Sequence, residues 1–411
     1  MKKIIALLLA LAMVLSMAAC AQSNDAADNS TSDTSGEESA TTAETGGTTV
    51  AADGTVTTEY KESEGVTTDK ELPHFKILVM YASFTDKLGS QFKSSLEYLA
   101  KDLNVEFTFL ETGMDSDAAM TAAQAALVTG YDGGIGVYAN EAYAKMFQDA
   151  GVPYIASGGM PSTQELADTL AANYDMYLGS VVVDDYAAGV NMAEALYRDG
   201  CRNVMWNGFQ RGLSGQHDQR TLGFADGVAA HEDMKIISEN FDYTTWADGI
   251  ATAAATYPEL DGVGCSALME NIYNAIDTEG LNGYIQLAGI DITESVGRFF
   301  EEGTLSYIAG GNYVTEMIAF AVLYNYLLDG TRIIADPSQN LMFNNIDINN
   351  LEEFNNYIKY LDSGIPAYTA QEILEMTHYY DESFGPEDMI EIGQQYSLED
   401  VMARHADLFE E

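Results

Sequence analysis

From Phe75 to Tyr81 the chain reads Phe-Lys-Ile-Leu-Val-Met-Tyr, a nearly continuous apolar run. Such a run suits a parallel strand covered on both faces. Beyond it, Phe92, Leu96, Leu99 and Leu103 recur three or four residues apart, which predicts a helix. The alternation continues. Strands are predicted at 105–110, 134–138 and 152–156, with helices at 117–128 and 142–150 between them. The last of these helices ends on the stop signal Ala150-Gly151. A second series follows, with helices at 184–197, 220–231, 247–257 and 270–279. Its strands are predicted at 203–207, 235–239, 262–267 and 285–290. Regular βα alternation predicts doubly wound parallel sheets. A body of roughly 340 residues exceeds what a single core serves, so an α/β fold of two Rossmann-like lobes is expected.

The ends of the chain follow other patterns. Met1-Lys2-Lys3 precedes an apolar run from Ile4 to Met17, too short to cross a membrane and of signal-peptide length. It closes on Met17-Ala18-Ala19-Cys20, which resembles the bacterial lipobox, with Met17 where leucine is usual. That resemblance implies a signal peptide over 1–20 and lipidation of Cys20. The alternative is an ordinary secretory signal with an incidental cysteine. Residues 21–72 are rich in Ser, Thr, Gly, Ala and acids, and are expected to be a disordered acidic linker. After Asn350 the chain reads as short helices, with Leu351, Phe354, Tyr357, Ile358 and Leu361 at helical spacing. This helical extension, 351–411, is expected to pack on one lobe.

The chain holds 18 basic and 64 acidic residues, a net charge of −46. Nucleic-acid binding needs clustered Lys and Arg, so it is excluded as a function. Cys201 and Cys265 are too few for a disulfide framework and are read as buried thiols. No GxSxG, Walker loop, HExxH or CxxC motif is present, so no enzyme, cofactor or metal is expected.

Five short motifs, in order, carry a resemblance: 128–134 (Val-Thr-Gly-Tyr-Asp-Gly-Gly), 150–155 (Ala-Gly-Val-Pro-Tyr-Ile), 220–224 (Arg-Thr-Leu-Gly-Phe), 260–265 (Leu-Asp-Gly-Val-Gly-Cys) and 289–291 (Gly-Ile-Asp). Together they resemble the type I periplasmic-binding-protein family, in its ribose- and galactose-binding branch, over roughly 73–335. The resemblance implies an N-terminal lobe of 73–181 plus 311–336 and a C-terminal lobe of 182–310 plus 337–350. It places three hinge crossovers near Val181–Asp184, Ala309–Asn312 and Asp336–Leu341. It also implies an extracytoplasmic, monomeric receptor that passes a small polar, sugar-like ligand to the permease of an ABC transporter. The same fold could instead sense a ligand for a membrane kinase or chemoreceptor.

In such a fold the ligand lies between the lobes, at the C-terminal ends of the strands. Candidate contacts are Phe84 and Asp86 in the first loop, Tyr138, Asp218, Trp246 as a stacking aromatic, Ser266, Asp291 and Asn312. Each has a plainer reading. The aromatics could be core residues, the aspartates helix caps, and Ser266 and Asn312 turn residues. Arg220 is read as an ion-pair partner. The family's Asp-Arg pair after the fourth strand is replaced here by Ser157-Gly158-Gly159. A ribose-like site is therefore not expected, and the glycines could leave room for a bulkier solute.

Overall fold

The computed structural model describes residues 47–409 apart from 52, 114, 213, 294 and 363. The expected signal peptide, Cys20 and the linker up to residue 46 lie outside them.

The described chain begins with a hairpin, β1 (Gly47–Val50) and β2 (Val56–Glu59). The first series follows: β3 (Phe75–Tyr81), α1 (Lys87–Ala100), β4 (Val105–Glu111), α2 (Ser116–Leu127), β5 (Gly133–Gly136), α3 (Glu141–Ala150), β6 (Tyr154–Ser157), α4 (Gln164–Asn173) and β7 (Tyr177–Val183). The second is α5 (Asp185–Arg198), β8 (Asn203–Asn207), α6 (Gly215–Ala229), β9 (Lys235–Asn240), α7 (Trp246–Thr256), β10 (Gly262–Cys265), α8 (Met269–Thr278), β11 (Gln286–Ile290), α9 (Val296–Glu301) and β12 (Leu305–Gly310). Then come α10 (Val314–Asp329), β13 (Leu341–Phe343) and β14 (Ile346–Ile348). The chain closes with α11 (Leu351–Leu361), α12 (Ala370–Glu375), α13 (Pro386–Gln395) and α14 (Leu398–Arg404).

The strands form two six-stranded sheets. The N-lobe order is β13-β7-β6-β5-β3-β4, all parallel. The C-lobe order is β14-β12-β11-β10-β8-β9, with only β14 antiparallel. Central strands such as β7, β10 and β12 are buried along their whole length, as expected where helices cover both faces. Helix starts are set by local chemistry. Asp86, Asn140, Thr163 and Asp184 each accept a backbone N–H from the first turn of α1, α3, α4 and α5.

The chain passes between the lobes three times: from β7 into α5, from β12 into α10, and from β13 to β14 through Asn344-Asn345. The third passage lies a few residues beyond the expected 336–341. Leu341–Phe343 pairs with Val181–Val183 in the N-lobe sheet, whereas 337–350 was assigned to the C-terminal lobe. Two three-residue strands that change sheets across two asparagines carry too little periodicity to be read.

Two further expectations are corrected. From Gly47 onward the supposed linker is part of the fold. The Thr58 N–H donates to Ser90 Oγ (2.5 Å), the Lys61 N–H to the Gly364 carbonyl (2.7 Å) and the Thr67 N–H to Gln371 Oε1 (2.7 Å). Val66 and Leu72 pack against the core. Threonine and valine suit strands even where mean apolarity is low, and an edge that finds a partner overrides the compositional argument. The helical extension, in turn, packs on both lobes rather than one. α11 lies on α9 of the C-lobe, α12 on α10 and α13 on β13 of the N-lobe.

Candidate functional site

The C-terminal ends of both sheets face one another. The N-lobe loop after β6 meets the start of α6 in the C-lobe: a Cβ built on Gly215 would lie 2.9 Å from Met160 Cγ, and one on Gly158 3.9 Å from Gln216 Nε2. Of the two glycines at 158 and 159, only Gly158 leaves space, with no atom nearer than 3.6 Å to a Cβ built there. A Cβ on Gly159 would fall 1.8 Å from the Val137 carbonyl oxygen, so that residue is glycine for close backbone packing.

On the C-lobe side, β8 and β10 run in register, so Asn207 lies beside Cys265, and the Ser266 N–H donates to the Asn207 carbonyl (3.0 Å). Beneath them Arg220 is buried. Its Nε donates to Asp185 Oδ1 (2.6 Å) and its Nη1 to the Ser266 carbonyl (2.7 Å). This agrees with its reading as an ion-pair partner. Asp185 Oδ2, both amide atoms of Asn207, Ser266 Oγ, Asn312 Oδ1 and His217 Nδ1 are buried and have no hydrogen-bonding partner within the protein. A buried polar atom left unpaired costs about 1–3 kcal/mol. Five of them, on Asp185, Asn207, Ser266 and His217, lie around Arg220 where strand ends meet helix starts, a pattern suited to receiving hydrogen bonds.

Asp291 ends β11 at the same edge. Its φ is +82°, a left-handed conformation that a non-glycine residue seldom adopts and that collects at functional sites. The residue is exposed at this edge. Desolvation pushes its pKa up, the Arg220 charge opposes this, and Asp86 across the cleft adds to the rise. Asp86 also titrates high, mainly through desolvation, while its Oδ1 caps α1 by accepting the Gly89 N–H (2.9 Å). His217 is held neutral, its pKa lowered to about 3 by burial and then by Arg220.

The other candidates lie elsewhere or are already satisfied. Phe84 is buried against Tyr81 and Phe109. Tyr138 stacks on Tyr143 (4.1 Å) and shares a hydrogen bond with Thr112 Oγ1 (2.7 Å). Asp218 Oδ2 accepts the Gly212 N–H (2.9 Å). Trp246 is 2 % exposed and donates to the Asn240 carbonyl (3.2 Å), so it offers no free face for stacking. Half-buried Phe209 covers it edge-on (5.1 Å) and packs beside His217 (4.2 Å). Sequence reasoning missed Asn207, Phe209, Asp185 and His217. The predicted strand 203–207 already ended at Asn207 with Phe209 two residues beyond, so position at a strand end was a signal for the first two.

Comparison with solved structures decides the fold. An ABC transporter solute-binding protein from Agrobacterium vitis, bound with alpha-D-tagatopyranose, matches with a TM-score of 0.59 at 18% identity, covering 68% of this chain and 95% of that one. The chain has the type I periplasmic-binding-protein fold. A periplasmic solute-binding protein from Actinobacillus succinogenes with bound D-allose matches at 0.59, with 16% identity over 69% and 99% of the two chains. The Caulobacter myo-inositol binding protein, bound to myo-inositol, matches at 0.57, with 17% identity over 70% and 98%. No protein-family profile and no curated protein matches the sequence. These solute-binding proteins are covered almost whole, which leaves about a third of this chain outside the match.

Proposed function

We propose that this protein is an extracytoplasmic solute-binding lipoprotein, anchored through Cys20, that captures a small polyhydroxylated ligand and delivers it to the permease of an ABC transporter. The observation that carries this reading is the set of partnerless buried polar atoms at the C-lobe strand ends, set beside the strained Asp291. The neutral groups of Asn207, Ser266 and His217, with the carboxylates of Asp185 and Asp291 beside them, suit hydroxyls, which both donate and accept. The same ligand class is named for the tagatose, allose and inositol binders of this fold. No catalysis is assigned. Burial pushes the Cys201 thiol up to about 12 and Cys265 higher still, so neither is a ready nucleophile.

The test is thermal unfolding of the purified protein against sugars, cyclitols, nucleosides, amino acids and polyamines. A ligand bound only by the folded state at a hundredfold excess over Kd adds about 2.7 kcal/mol. A saturable shift with a sugar or cyclitol supports the proposal. A shift with amino acids or polyamines alone overturns the ligand class.

A further inference from the structure

Two segments outside the two-lobed frame meet beside it. Asp362 follows the last residue of α11 and is 7 % exposed. It accepts from Lys87 Nζ (2.5 Å), Gln91 Nε2 (3.1 Å) and Thr48 Oγ1 (3.1 Å). Lys87 and Gln91 belong to α1 of the N-lobe. The rest of α11 rests on the C-lobe. Phe354 packs so closely on α9 that a Cβ on Gly297 would lie 2.8 Å from its ring, and the Tyr357 ring reaches within 3.4 Å of a Cβ built on Gly310. One short helix is thus seated on one lobe and pinned to the other by a buried charge.

The extension also ties down the crossovers themselves. Tyr396 Oη donates to the Gly311 carbonyl (3.2 Å) and Tyr313 Oη to the Leu361 carbonyl (3.2 Å). The Asn344 N–H donates to the Gly393 carbonyl (3.0 Å) and its side-chain amide to the Gln394 carbonyl (2.6 Å). Two of the three passages between lobes are therefore hydrogen-bonded to the extension. Hinge opening works through φ/ψ changes at such passages. Opening would also draw α1 away from α9 and strip Asp362 of its donors, and a buried carboxylate without partners is strongly unfavourable.

We propose that the C-terminal extension is a clasp that restrains opening of the two lobes, with Asp362 as its catch. The N-terminal segment is laced over the same point through Thr48 and through the Lys61–Gly364 bond, so it reinforces the catch. This device goes beyond solute capture and operates without any ligand.

The experiment is a spin-label distance measurement across the cleft mouth, on the ligand-free full chain carrying Cys20→Ser, Glu141→Cys and Asn271→Cys. Both label sites are exposed at helix starts on opposite lobes, and native Cys201 and Cys265 are buried. The expected result is one narrow distance population with Asp362 intact, and a longer, broader population in Asp362→Ala. If Asp362→Ala fails to fold, Lys87→Met with Gln91→Leu weakens the same catch from the N-lobe side. Unchanged distributions in whichever variants fold would overturn the clasp. Because no ligand is present, that outcome leaves the solute-binding reading untouched, and a failed ligand panel leaves the clasp untouched.

Discussion

The two lobes present the same edge of the same kind of sheet to the cleft, but with different chemistry. On the N-lobe edge most polar groups satisfy one another: Tyr138 with Thr112, Ser157 with Thr315 (3.3 Å), and Asp86 with its own helix, while the Tyr143 hydroxyl and Asn312 Oδ1 stay unpaired. On the C-lobe edge Asn207, Ser266, Asp185 and His217 keep buried atoms unpaired around Arg220. Two lobes of one topology therefore divide the work. If the proposed function holds, the C-lobe half would recognise and the N-lobe half would close over what is held. Fold alone says nothing of this division, because it lives in side chains at strand ends.

The largest effect is expected where the C-lobe network is broken at its centre. Arg220→Met should leave Asp185 charged, buried and unpaired, and lower stability by about 3–5 kcal/mol. Urea unfolding checks this. A loss of less than about 1 kcal/mol would show that water reaches the pair and that the C-lobe edge is not a dry recognition site.

Next comes the open carboxylate. Asp291→Asn keeps the shape and suits a positive φ, since asparagine tolerates the left-handed region. It should therefore unfold at or slightly above the wild-type midpoint while ligand affinity falls roughly ten- to hundredfold, the worth of one charged hydrogen bond. Equal affinity in calorimetric titration would remove Asp291 from the site and blur the contrast between the lobes.

The N-lobe has a titrating group of its own. Glu316, in the first turn of α10 behind Ser157, is buried, and desolvation raises its pKa to about 7, with Ser157 pulling the other way. The sign follows from proton counting. Between its unfolded value of 4.5 and about 7 the folded state holds a proton that the unfolded state has released. Stability therefore rises as pH falls through that window, and the charge is a burden above it. Tyr81 and Ser157 are its polar neighbours, and neither titrates there. Glu316→Gln should flatten the melting temperature between pH 5 and pH 8 and raise it at pH 8. An unchanged profile would place the titration elsewhere.

How much of this was readable follows the same physics. Long buried strands announce themselves because both faces need apolar residues, so Phe75–Tyr81 and the βα rhythm after it were plain. Leu341–Phe343 and Ile346–Ile348 were not, since three residues each give no period to detect. Asp291 stood out by its place at a strand end, but its strained φ did not. Trp246 misled because a tryptophan beside a strand end looks like a stacking surface until its burial beneath Phe209 is seen. The extension's grip on both lobes depends on contacts between residues hundreds of positions apart, such as Thr48 with Asp362, and no local pattern encodes them.

The smallest expected effect tests the quieter lobe. Tyr138→Phe removes only the hydrogen bond to Thr112 Oγ1 and leaves the stack on Tyr143 in place. A neutral, half-buried hydrogen bond contributes about 0.5–1.5 kcal/mol, so a modest fall in unfolding free energy is expected. If the N-lobe edge merely closes over the ligand, affinity should stay within about twofold, far below the loss from Asp291→Asn. A larger loss would mean that the Tyr138 hydroxyl trades Thr112 for the ligand on binding. The N-lobe would then recognise as well as close, and its apparent self-sufficiency would belong to the ligand-free state alone.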